Sequence, residues 1–122
     1  MVNKYKVSSK ENRTWNDKTY ASKAEMIYAQ HIGMLKKAGE VSVCIEQPKV
    51  WLGVPECKYV PDFFVVYEDG KYEFIDVKGN ETAKFKRDKK LWKAYGDCPL
   101  RIVKLTNYSK PSFKTVQVIA PN

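Results

Sequence analysis

The fold is decided by the stretch YVPDFFVVYEDGKYEFIDVK, which runs from Tyr59 to Lys78. Its two halves, Tyr59–Tyr67 and Lys71–Lys78, are rich in aromatic and β-branched residues, which favour β-strands. Between them, Glu68-Asp69-Gly70 is typical of a hairpin turn in which Gly70 takes the left-handed conformation of a three-residue loop. The stretch therefore predicts an antiparallel hairpin.

The register of this hairpin brings two carboxylates together. A three-residue loop pairs Tyr67 with Lys71. The same register pairs Asp62 with Asp76. Facing residues share one side of a sheet, with Cβ atoms about 4.5–5.5 Å apart, and Lys78 points to that side because it lies two residues beyond Asp76. A two-residue loop would instead place the two carboxylates on opposite faces.

Two facing carboxylates repel one another, so the pairing of Asp62 with Asp76 predicts a cation between them. Hard oxygen ligands suit Mg²⁺ or Mn²⁺. Such an ion polarises a phosphoryl oxygen and lowers the pKa of a bound water. A neighbouring lysine, here Lys78, stabilises the negative charge that develops. The three residues therefore indicate phosphodiester hydrolysis.

The elements around the hairpin complete a mixed α/β domain. Ser22-Lys23-Ala24-Glu25 opens a helix as a capping box, and Gly39 ends it. A second helix is predicted from Thr82 to Tyr95. Further strands are predicted at Val41–Gln47, Leu100–Leu105 and, as an edge strand, Thr115–Ile119. The order is α-β-β-β-α-β: a mixed central sheet flanked by helices, in one domain over residues 22–122, preceded by a basic N-terminal arm over residues 1–21.

Glu25 has two interpretations. As the fourth residue of a capping box, it has a purely local role. On the helical wheel, however, it lies at the edge of the apolar stripe beside Ile32. From there it can reach the sheet and complete a metal site, either directly or through a water.

The charge of the chain favours a polyanionic partner. There are 22 Lys and Arg against 14 Asp and Glu, which gives a net charge of +8. One face of the second helix is predicted to contact DNA phosphates, and it carries Lys86, Lys89, Lys90 and Lys93. Lys84 projects on the other side, near the predicted site. It either contacts DNA or pairs with Asp88 four residues later.

The ordered set of motifs resembles the PD-(D/E)XK nuclease superfamily, whose fold is restriction-endonuclease-like, and its small phage-encoded branch in particular. The resemblance covers roughly residues 19–105 and rests on Ser22-Lys23-x-Glu25, Gln47-Pro48, Val60-Pro61-Asp62-Phe63 and Asp76-Val77-Lys78-Gly79. It implies that Asp62 and Asp76 bind Mg²⁺ or Mn²⁺, and that Lys78 assists the attacking water. Glu25 would complete the acidic cluster. The third motif position is Asp rather than the commoner Glu.

The resemblance implies a metal-dependent DNA endonuclease. Because so short a chain leaves little surface for reading bases in the major groove, selectivity for DNA structure is expected. We expect a homodimer that resolves Holliday junctions or other branched DNA in phage recombination or replication. Two alternatives remain: a nuclease of other specificity (single-strand, nicking or restriction-type), and a non-catalytic DNA-binding or regulatory module on the same fold.

Other features give more ordinary expectations. No apolar run is long enough to cross a membrane, and the N-terminus lacks the apolar stretch of a signal peptide. A cytoplasmic location is therefore expected, in the host cell for a phage-encoded protein. His31 is predicted to be a packed core histidine. Trp15, Tyr20 and Trp51 either stack on unpaired bases or pack in the core.

Overall fold

The computed structural model describes residues 9–79 and 82–121. Within them lie two α-helices, α1 (Lys23–Lys37) and α2 (Ala83–Tyr95), and a 3-10 turn at Glu11–Arg13. The strands are β1 (Thr14–Trp15), β2 (Lys18–Thr19), β3 (Val41–Glu46), β4 (Val50–Trp51), β5 (Lys58–Tyr59), β6 (Phe63–Tyr67), β7 (Tyr72–Val77), β8 (Leu100–Asn107) and β9 (Ser112–Ile119).

Five strands form one mixed central sheet, in the order β3-β6-β7-β8-β9. Only β7 and β8 run parallel, and α2 connects them. The sequence of α1, β3, β6, β7, α2 and β8 confirms the predicted α-β-β-β-α-β order and the mixed α/β class. The predicted edge strand is also confirmed, since β9 pairs only with β8 at the edge of this sheet.

The central hairpin has the predicted register. Phe63 pairs with Ile75 and Phe64 with Phe74, as the three-residue loop requires. Gly70 has a φ of 88°, the left-handed conformation expected of it. The strand predicted over Tyr59–Tyr67 is divided, however: Tyr59 pairs with Val50 in a separate small sheet. The central strand begins only after Pro61, which has no amide hydrogen to donate.

Helix α1 begins and ends where the sequence predicts. The hydroxyl of Ser22 accepts a hydrogen bond from the Glu25 amide at 3.1 Å, and Gly39 follows the helix with a φ of 81°. The helix packs its apolar side on one face of the sheet, in a core that includes Ile27, Ile32, Phe63, Val65 and Ile75.

His31 is exposed at the edge of this packing, near the rings of Tyr28 and Phe113. The prediction of a packed core histidine is therefore wrong.

Helix α2 covers the opposite face of the sheet. Thr82 caps it by accepting from the Phe85 amide at 3.1 Å. Phe85 and Trp92 form a second core with Leu100 and Ile102 of β8. The small β4–β5 hairpin, which the sequence did not predict, joins this core through Leu52 and Tyr59. The sheet is thus enclosed by one helix on each face.

The described part of the N-terminal region, residues 9–21, folds back onto the domain. The short strands β1 and β2 pair with each other, and Tyr20 is buried in the core beneath α1. Residues 1–8 of the predicted basic arm lie outside the described residues. Neither helix of the described chain is both long and apolar enough to cross a membrane.

Candidate active site

Two reciprocal contacts join Asp62 and Asp76 where β6 begins and β7 ends. The Asp62 amide donates to Oδ1 of Asp76 at 2.9 Å. The Val77 amide donates to Oδ2 of Asp62 at 2.8 Å. The observed register, continued by one residue from the Phe63–Ile75 pair, sets Asp62 opposite Asp76. Each carboxylate is therefore fixed through one oxygen by a backbone amide of the neighbouring segment.

The second oxygen of Asp76 has an unusual environment. The residue is 0% exposed, and Oδ2 has no hydrogen-bond partner within residues 9–79 and 82–121. A buried polar atom without a partner costs on the order of 1–3 kcal/mol, and more if it is charged. A cation would supply the missing interaction, so this atom fits a metal ligand.

Lys78 lies beside both aspartates. Its positive charge lowers the pKa of Asp62 and of Asp76, against the larger effect of burial. Its Nζ also lies 4.8 Å from the centre of the Phe85 ring at the start of α2. The backbone amide of Lys78 donates to Val103 of β8 at 2.9 Å, which anchors the end of β7. The lysine is thus held near the carboxylates while its side chain remains only partly buried.

Glu25 is buried at 4% exposure on the first turn of α1. Its amide completes the Ser22 half of the capping box. Between these two described residues there is no reciprocal bond from the Glu25 carboxylate to the Ser22 amide. The negative charges of Asp62 and Asp76 instead act on that carboxylate, and both raise its pKa. The side chain therefore belongs to the acidic cluster as well as to the helix start.

Burial disfavours the ionised form of these three acids and so raises their pKa values. It raises the pKa of Asp76 from 3.8 to about 6, and the charge of Asp88 adds to the shift. Burial and then the charge of Asp62 raise the pKa of Glu25 from 4.5 to about 7. The pKa of Asp62 is also raised, by burial, although the Val77 amide and Lys78 oppose this. Such shifts are common where acids serve a metal or a reaction.

The acids do not by themselves form a complete metal cage. No group of three or more His, Cys, Asp or Glu side chains in the described ranges is arranged to hold an ion. Mg²⁺ commonly binds through one or two carboxylates and retains several waters or substrate phosphates as its other ligands. Asp62 and Asp76 match that requirement, and Glu25 is placed to act through a water.

Two neighbours of Glu25, Glu46 and Lys18, escaped the sequence analysis, which considered Tyr20 only as an aromatic for base stacking or the core. Glu46, at the end of β3, accepts from Lys18 at 2.9 Å and from the Tyr20 hydroxyl at 2.7 Å. Glu46 raises the pKa of Glu25 and Lys18 lowers it. The signal for Glu46 was its position beside Gln47-Pro48, at the strand end that lies next to Asp62. Gln47 ends the strand with a φ of 51° and donates its amide to the Asp62 carbonyl at 2.9 Å.

The lysines of α2 occupy two grooves. One groove, of about 410 Å³, lies between α2 and β9 and is lined by the four lysines predicted to share a face: Lys86, Lys89, Lys90 and Lys93. Within it, Lys89 donates to Gln117 of β9 at 3.1 Å. Lys84 instead lines a second groove together with Lys78. Lys84 also forms an ion pair with the buried Asp88 at 2.9 Å. This pair is one of the two alternatives that the sequence predicted for Lys84.

Comparisons with known proteins place the chain in a family without an assigned function. Neither the curated proteins nor the solved structures contain a match to it. A family model matches residues 3–110, which include every element from the 3-10 turn through β8 and all four predicted site residues: Glu25, Asp62, Asp76 and Lys78. The chain therefore belongs to the family described as "Protein of unknown function (DUF1064)".

Proposed function

We propose that this protein is a Mg²⁺- or Mn²⁺-dependent DNA endonuclease of the PD-(D/E)XK type. The observation that carries the proposal is Oδ2 of Asp76, a buried carboxylate oxygen without a hydrogen-bond partner in the described chain. It lies beside Asp62 and Lys78 in the order and register that the motif requires. A buried carboxylate oxygen without a partner destabilises the fold, and a bound cation would remove that cost.

Each side chain of this site would have its own role in hydrolysis. Asp62 and Asp76 would hold the ion, each through the carboxylate oxygen that accepts no backbone hydrogen bond. Lys78 would hold the attacking water and stabilise negative charge on the phosphate. The bound ion would polarise a phosphoryl oxygen and lower the pKa of a water. Glu25, whose pKa is raised to about 7, would orient the attacking water or accept its proton.

DNA would be held by the lysines of α2. The groove lined by Lys86, Lys89, Lys90 and Lys93 follows the helix away from the end of β7. Phosphate contacts position DNA without reading its sequence, so selectivity would come from DNA structure. We therefore favour junctions and other branched DNA as substrates, cut by a homodimer in the cytoplasm during phage recombination or replication.

Cleavage of a panel of labelled DNAs tests the proposal. The panel contains a four-way junction, a fork, a flap, a duplex and a single strand, each with Mg²⁺ and with Mn²⁺. Wild-type protein should cleave at least one of them, and Asp76→Asn should not. Cleavage that persists in Asp76→Asn would assign the activity to another site or to a contaminant. Tight binding of DNA without cleavage of any substrate would favour the non-catalytic module.

A further inference from the structure

Trp51 on β4 is an exposed tryptophan in a domain that buries or packs its other two. Trp92 is 0% exposed in the core under α2. Trp15 packs against the core under α1. Trp51, in contrast, is 55% exposed. Tryptophan is highly buried on average. A tryptophan that is more than half exposed is therefore unusual, above all on a segment that is held firmly.

The hairpin that carries Trp51 is fixed to the domain. The Leu52 amide donates to the Cys57 carbonyl at 2.8 Å and closes the hairpin. Leu52 is 1% exposed in the core under α2. A Cβ added at Gly53 would lie 2.8 Å from the ring of Tyr95, so the hairpin approaches the end of α2 as closely as a side chain permits. Trp51 is therefore presented on a rigid support.

The neighbours of Trp51 lead to the candidate active site. Lys58 pairs with Trp51 across the hairpin, and facing residues lie on the same side of it. Lys58 also lines the groove of about 370 Å³ that contains Lys78 and Lys84. One acid, Asp88, lines the same groove, but it is neutralised by Lys84 and Arg87.

The wall of this groove contains a second buried polar atom without a partner in the described chain. Tyr59, which follows Lys58 on β5, lines the groove and is 5% exposed. Its hydroxyl is buried and has no hydrogen-bond partner in residues 9–79 and 82–121. A buried tyrosine hydroxyl usually has a partner. The groove therefore offers cations, its wall contains a buried hydroxyl without a partner in the described chain, and the exposed ring of Trp51 lies opposite Lys58 on the adjoining hairpin.

We propose that Trp51 stacks on an unpaired base of DNA, while the groove lysines Lys58 and Lys84 contact the backbone of the same strand. The inference rests on the proposed nuclease function and narrows its substrate class. In the interior of a duplex both faces of a base are covered by its neighbours, so stacking on Trp51 there requires an unpaired base. The substrate would be DNA with a single-stranded segment beside the cleaved phosphate, such as a flap, a fork or an opened junction.

Binding in Ca²⁺, which suppresses cleavage, tests the proposal on two DNAs: a blunt duplex and the same duplex with an oligothymidine overhang. Trp51→Leu should weaken binding of the overhang DNA about tenfold, within the range of roughly 5- to 160-fold expected for one stacked base, and leave the blunt duplex unchanged. Trp51→Phe, which keeps an aromatic ring, should retain most of the affinity. Tyr72→Ala removes another aromatic that is 53% exposed, at the opposite end of β7 from Lys78, and should change neither affinity.

Tryptophan fluorescence gives an independent readout. Oligothymidine should quench the emission of the wild-type protein, because Trp51 is the most accessible of its three tryptophans, and the quenching should disappear in Trp51→Phe. An equal loss of affinity for both DNAs would overturn the stacking proposal. No loss for either DNA would overturn it as well, and would indicate that Trp51 contacts a protein partner instead. If wild-type protein still cleaves DNA in that case, only this inference fails. If it binds neither DNA and also cleaves no DNA of the substrate panel, the proposed function fails with it.

Discussion

The backbone amide of Asp62 donates to the side chain of Asp76 at 2.9 Å. One oxygen of Asp76 is thereby satisfied by a neutral donor, while the other is buried without a partner in the described chain. An amide side chain at this position keeps the first interaction and removes the buried charge. Substitutions at Asp76 can therefore separate the structural role of the residue from its proposed role in metal binding.

We expect Asp76→Asn to abolish cleavage while it leaves the metal-free protein as stable as wild type or more stable. The Asn carbonyl can still accept from the Asp62 amide, whereas the ion loses a charged ligand. Loss of one stabilising group commonly reduces the rate by about 10²–10³. Asp76→Ala should be equally inactive but about 1–3 kcal/mol less stable, because the partly buried Asp62 amide loses its acceptor. Activity assays and urea denaturation of both variants measure the two effects. Cleavage by either variant at the wild-type rate would rule out this site.

The raised pKa values predict an unusual pH dependence of stability in the absence of metal. The pKa of Glu25 rises from 4.5 in the unfolded chain to about 7 on folding, and that of Asp76 from 3.8 to about 6. Between these limits the folded state binds more protons than the unfolded state, so the free energy of unfolding falls as pH rises. The stabilisation is complete below about pH 4 for these groups and lost above about pH 7. Each pKa unit corresponds to about 1.4 kcal/mol.

Thermal unfolding in EDTA from pH 4.5 to pH 8 measures this effect, with Asp76→Asn and Glu25→Gln as controls. Each variant removes one titrating group, so each should show a smaller decrease across this range than wild type. Added Mg²⁺ should raise the melting temperature at pH 8 and have little effect at pH 5, since metal ligands must be deprotonated. Parallel curves for wild type and both variants would show that neither acid titrates in this range.

Gly53 should be sensitive to substitution for a reason that Gly70 lacks. Both residues have a left-handed φ, 87° at Gly53 and 88° at Gly70. A side chain at either position costs about 1–2 kcal/mol of backbone energy. Only at Gly53 would the new Cβ also meet the Tyr95 ring, at 2.8 Å, whereas at Gly70 nothing lies within 4 Å. Gly53→Ala should therefore destabilise the protein more than Gly70→Ala in denaturant unfolding, and equal losses would contradict the close contact between hairpin and helix.

The parts of the fold that short-range patterns encode were predictable. The turn at Gly70 determined the register of the central hairpin, and with it the pairing of Asp62 and Asp76. Caps at Ser22 and Thr82 located the starts of both helices. The β4–β5 hairpin was missed because two-residue strands carry no periodicity.

The missed parts of the site depend on contacts between distant segments. Glu46 joins the acidic cluster only because β3 ends beside Asp62 and because Lys18 and Tyr20 fold back onto it. The sequence offered three aromatics for base stacking, Trp15, Tyr20 and Trp51, and no local pattern distinguishes them. Tertiary packing does so: Tyr20 is buried and Trp15 packs on the core, whereas Trp51 remains exposed.

The lysines between α2 and β9 should determine how strongly salt weakens DNA binding. Lys90 and Lys93 are exposed in that groove, whereas Lys89 is partly buried and bonded to Gln117. The double substitution Lys90→Gln/Lys93→Gln therefore removes two charges with little effect on packing. Each phosphate contact contributes about −0.9 to the log–log slope of affinity against salt on duplex DNA, so the slope should become shallower by roughly 2.

A matched variant separates these contacts from net charge. Lys36→Gln/Lys37→Gln removes two exposed lysines from the end of α1, on the other face of the sheet. It lowers the net charge by the same amount but should leave the slope unchanged, because its lysines do not line the groove. Binding isotherms in Ca²⁺ at several salt concentrations decide between the two outcomes. Equal slopes for wild type and both variants would mean that the groove makes no phosphate contact and that its lysines are only a solvated surface.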